Sequence, residues 1–61
     1  MIIKEYEYCG YLIEMHEHPI YHDFEFVIKT LDGKTVKAVN DRLFKNTGDA
    51  EHSAQLIINN L

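Results

Sequence analysis

The chain has 61 residues, 46% of them hydrophobic, with ten acidic and six basic residues for a formal charge of −4 and one cysteine. That is one domain (1–61), small for a fold without staples yet too apolar for a disordered chain, and Cys9 alone excludes an intramolecular disulfide and fits a reducing compartment. No apolar run approaches the roughly 18 residues needed to span a bilayer, Lys4 and Glu5 interrupt any signal-peptide pattern, and the scattered basic residues form no nucleic-acid footprint, so a cytoplasmic protein is expected, with no membrane or nucleic-acid partner.

Residues Ile2 to Tyr8 alternate, with Tyr6 and Tyr8 on one face and Glu5 and Glu7 on the other, the period of a strand. Cys9-Gly10 follows, then Tyr11 to Glu17 alternates again. A two-residue loop sets Tyr8 against Tyr11 and Tyr6 against Ile13, aligning the apolar faces; a one-residue slip would misplace them. The third strand is read from about Tyr21 to Leu31, with Phe24, Phe26 and Ile28 on one face. Leu31-Asp32-Gly33 suits a three-residue loop with Gly33 in the left-handed position, which would pair Ile28 with Val36 and Phe26 with Ala38. The fourth strand is then Thr35 to Asn40, followed by a connection whose Leu43 and Phe44 plug one end of the core.

Thr47 is the expected N-cap of a helix of about 13 residues, with acidic residues in its first turn. Ala50, Ala54, Ile57, Ile58 and Leu61 fall on one helical face, and the polar Asn59-Asn60 ends the helix. The expected architecture is α+β in two layers: a four-stranded antiparallel β-meander followed by one C-terminal α-helix packed on one face, in the order ββββα.

Asp23-Phe24-Glu25-Phe26-Val27-Ile28-Lys29, Asp32-Gly33-Lys34-Thr35-Val36 and Thr47-Gly48-Asp49 give the chain a strand, Gly turn, strand and helix order. From about Tyr11 onward this order resembles the YegP-like family of small bacterial proteins. The chain differs from that family after the last strand, where it reads Asn40-Asp41-Arg42-Leu43-Phe44, and in its additional first strand. The resemblance implies the fold and transfers no active-site residue or cofactor.

Three of the four histidines, His16, His18 and His22, crowd into seven residues. His16 and His18 share a strand face if the second strand persists that far, and His22 could return across the turn to complete a metal site or a pH-responsive cluster. Pro19 equally makes this the polar end of a hairpin, with the side chains splayed into water. Cys9 has no evident base, and the alternating carboxylates frame no pocket, so no enzyme and no cofactor are expected. With the helix on one face, the other carries Leu12, Val27 and Val39 amid charges, a candidate surface for an unknown protein partner or a homodimer. Two further readings are a metal- or pH-responsive protein using the histidines, and an acidic inhibitor seated in the basic cleft of a nucleic-acid enzyme.

Overall fold

The computed structural model describes residues 1–61, except for the side chains of Asp41, Arg42 and Leu43. Four antiparallel strands form one open sheet in the order β1-β2-β3-β4: β1 Ile2–Tyr8, β2 Tyr11–Glu17, β3 Phe24–Thr30 and β4 Thr35–Phe44. One helix, α1 Thr47–Asn59, packs on the sheet. The α+β meander-and-helix architecture expected from the sequence is the one observed.

The β1–β2 turn has the expected register, with Tyr8 opposite Tyr11 and Tyr6 opposite Ile13. Cys9 and Gly10 both have positive φ, 49° and 85°, as a two-residue turn matched to strand twist requires. Gly tolerates that geometry freely, whereas Cys carries a Cβ penalty. At the other end of β1 the register shifts between Ile2 and Lys4.

The β3–β4 turn also closes over three residues: Thr30 N donates to Lys34 O (2.8 Å), Gly33 N donates to Thr30 O (3.0 Å), and Gly33 has φ 94°. Lys29 faces Thr35, but Val36 is then passed over, and Ile28 faces Lys37, Val27 faces Ala38 and Phe26 faces Val39. This bulge overturns the expected Ile28–Val36 and Phe26–Ala38 pairs. It moves the larger Val39 onto the helix side, where it packs against the core, and sends Ala38 to the open face. Val36 is left 40% exposed. Burying two more methyl groups beside Phe26 favours the bulged register over one that would bury alanine there.

Further boundaries differ from the sequence reading. β3 begins at Phe24 rather than Tyr21, because residues 19–22 form the turn. β4 runs on to Phe44, which stacks at a tilt on Phe26 with ring centroids 5.6 Å apart. The expected plugging role of Leu43 lies outside the described residues. The N-cap is Asn46, not Thr47: its Oδ1 accepts from Asp49 N (2.8 Å) while its Nδ2 donates to Asp49 Oδ2 (3.1 Å). Both ends of the side-chain amide are thus used. At the C-terminus Asn60 caps with φ −104°, outside the left-handed region, and its side chain donates to Leu56 O (2.7 Å).

Ile13, Met15, Phe26 and Ile28 from the sheet and Ala50, Ala54 and Ile58 from α1 form the buried core. The two alanines let the helix approach the aromatic floor closely. Ile57 is only half-buried and Leu61 is 64% exposed, so both lie at the margin of the expected apolar stripe.

Beside that stripe runs a polar one. Glu51, Gln55 and Asn59 recur every four residues and meet alternate residues of β1. Lys4 pairs with Glu51, Gln55 Nε2 donates to the Tyr6 hydroxyl (3.3 Å), and the Tyr8 hydroxyl donates to Asn59 Oδ1 (3.1 Å). The repeats match because two strand residues advance about 6.7 Å and four helical residues about 6 Å. The ladder ties one flank of α1 to the long side chains of β1, while the helix itself lies over β2 and β3.

Candidate functional site

Two regions gather polar side chains: the β2–β3 turn and the sheet face opposite α1. In the turn, His18 N donates to Asp23 O (2.8 Å) and His22 N to His18 O (2.9 Å), closing a loop in which His22 takes φ 59°. The imidazole of His18 folds over its own turn, with Nδ1 3.3 Å from Ile20 N and 3.4 Å from Tyr21 N. Both neighbours are donors, so Nδ1 acts as the acceptor and the ring proton sits on Nε2. His22 Nδ1 instead lies 3.1 Å from Glu17 Oε2, and buried Asp23 accepts from Lys45 Nζ (2.8 Å).

His16 is elsewhere, on the open sheet face, with Nε2 3.3 Å from Glu14 Oε1. The three histidines singled out in the sequence therefore have three separate partners. Among the described residues, no group of three or more His, Cys, Asp or Glu side chains converges on a possible metal position. Cys9 is exposed in its turn, and no imidazole pairs with it among the described residues.

The open face has a different character. Cross-strand pairing sets Glu5 beside Glu14 beside Val27 beside Ala38, with Glu7, Leu12 and Lys29 in the row on one side and His16 and Glu25 in the row on the other. Glu14, at the centre, is only 7% exposed although no other element covers it. Its Oε2 accepts from Lys29 Nζ at 2.6 Å. That hydrogen bond, opposed by desolvation and aided by His16 and Glu5, holds its carboxyl below the ordinary carboxylate range. The neighbouring long side chains shield this ion pair, so it counts for more than an exposed one.

Among the described residues, four glutamates, Glu5, Glu7, Glu14 and Glu25, thus share this face with one lysine, Lys29, a local balance of three negative charges. In their midst Leu12 and Val27 are half-buried and Ala38 exposed, a short apolar band crossing three strands. Val39, expected here, is on the other side. The concentration of charge follows from the sequence alternation, but the band's third member is visible only once the β4 bulge is known.

No family model matches the chain, and no match was found among curated proteins or solved structures.

Proposed function

We propose that the protein is a non-enzymatic interaction module whose uncovered sheet face engages a cationic surface of a partner protein. The observation that carries this reading is the acidic frame around Leu12, Val27 and Ala38. Interfaces commonly join an apolar centre to a polar rim, and complementary charge steers encounter and selects partners. A second copy is a poor occupant of this face, because it would set four glutamates against four. A basic cleft of a nucleic-acid enzyme, or any lysine- and arginine-bearing helix, supplies the matching charge.

Titrating isotope-labelled protein with an amphipathic lysine–leucine helix tests the reading. NMR shifts are expected at Leu12, Val27 and Ala38, shrinking as salt rises. Shifts confined to other residues, or equal response of this face to a glutamate–leucine helix, overturn it.

A second reading is favoured by His18. Protonating its Nδ1 would turn an acceptor of two backbone N–H groups into a donor facing them, whereas protonation of His22 would strengthen its contact with Glu17. The β2–β3 turn would then respond to pH, with Glu17, Asp23 and Tyr21 as the neighbouring titratable groups. Turn amide shifts that stay constant while the His18 ring titrates would dispose of this reading.

A further inference from the structure

The ladder from Lys4, Tyr6 and Tyr8 to Glu51, Gln55 and Asn59 ties one flank of α1 to long side chains of β1, while Ser53, Leu56, Ile57 and Asn60 of its other flank stand beside Lys37 of β4. A groove of about 470 Å³ results, lined by Lys37, Ser53, Leu56, Ile57, Asn60 and Leu61. Leu56 and Leu61 are 48% and 64% exposed there. Beside it runs β4, the outermost strand, which pairs only with β3 in the sheet.

Lys37 is the cation of this groove. Lys4, Lys29 and Lys45 each meet a carboxylate, whereas the Lys37 ammonium makes no ion pair among the described residues. The bulge at Val36 is what puts Lys37 on the helix side, opposite Ile28. An apolar trough with one unneutralised lysine at its wall suits a ligand that is apolar with a carboxylate.

We propose that this groove docks an extended, acidic–apolar segment of a partner protein, with apolar side chains on Leu56, Ile57 and Leu61 and a carboxylate on Lys37. The groove is open along its length, so a small apolar acid lying in it would leave much of its surface in water. An extended segment gains a second row of contacts along the outer strand, the usual basis of binding beside a sheet edge. A second copy docking groove to groove would bring two unpaired lysines together. The glutamates of the open face are on the far side of the sheet, and salt of physiological strength screens charges beyond about 8 Å. This site is independent of the acidic face, and either can fail without the other.

The test is an NMR titration of the full chain with a short extended peptide carrying alternate leucines and one glutamate in the leucine row, beside a matched peptide with lysine in that place. The glutamate peptide is expected to shift Lys37, Ser53, Leu56 and Ile57. Leu56→Asn, a change at an exposed position that leaves the folded spectrum intact, is expected to weaken binding about ten-fold, as for an interface anchor. Lys37→Glu is expected to weaken the glutamate peptide about two- to five-fold, the range for an exposed ion pair, and to favour the lysine peptide. Equal binding of both peptides to the unaltered protein would overturn the proposal. So would shifts confined to Leu12 and Val27, dodecanoate filling the groove where the peptide does not, or self-association through the same residues.

Discussion

The Tyr6 hydroxyl of β1 accepts a hydrogen bond from the side-chain amide of Gln55 in α1, 49 residues later in the chain. It is the middle rung of the ladder that ties one flank of the helix to β1. A double-mutant cycle with Tyr6→Phe and Gln55→Ala is expected to give a coupling of about 0.5–1 kcal/mol in urea unfolding, the net worth of a neutral hydrogen bond. Coupling indistinguishable from zero would mean that apolar packing alone places α1. The outer Lys4–Glu51 rung is solvent-exposed, so Lys4→Met should matter little and only at low salt.

The β1–β2 turn holds Cys9 in a left-handed conformation that asparagine tolerates better. Cys9→Asn is therefore expected to stabilise the protein by about 0.5–1 kcal/mol, seen as a higher melting temperature. A lower melting temperature would show that the thiol contributes something beyond turn geometry.

The bulge in β4 makes opposite predictions for two valines three positions apart. Val39 packs on the core, so Val39→Ala should cost roughly 1 kcal/mol. Val36 is exposed, and Val36→Ala should stay within about 0.5 kcal/mol of the unaltered protein. The reverse order of costs would restore the unbulged register.

Glu14 and Lys29 form the shielded ion pair of the open face. Lys29→Met leaves a nearly buried carboxylate without its cation and should cost about 1–3 kcal/mol, whereas adding Glu14→Met should recover most of that loss. Because the Glu14 carboxyl is held below its unfolded value of 4.5, the unfolded chain binds more protons between the two values. Its contribution is thus complete above the ordinary carboxylate range and is lost as pH falls through the depressed folded value. Acid titration of stability in Glu14→Gln should show a shallower loss in that window. An unchanged acid slope would remove Glu14 from the account.

The hairpins and the helix were legible because each rests on local chemistry: period-two alternation, Cys9-Gly10, Asp32-Gly33 and the Ala50–Ala54–Ile58 stripe. The β4 bulge was not, because it is selected by the fit of Val39 over Phe26, a contact between strands that no local pattern records. The histidines are neighbours in sequence but not in partners: strand alternation carries His16 to the sheet face, while the turn folds His18 onto its own backbone. The polar stripe Glu51, Gln55, Asn59 was readable at helical spacing. Its partners on β1 were not, since they depend on how the helix crosses the sheet and how far the long side chains of Lys4, Tyr6 and Tyr8 reach toward it.

The most direct test of the acidic-face reading is the affinity of the lysine–leucine helix for Glu7→Lys/Glu25→Lys, measured by calorimetry at low and physiological salt. Both residues are on the open face, and the double change turns the net charge of its described residues from three negative to one positive. Affinity is predicted to fall about ten-fold or more at low salt, with the difference narrowing as salt screens the charges. An unchanged affinity, with the fold intact, would contradict the claim that this face is the protein's binding surface.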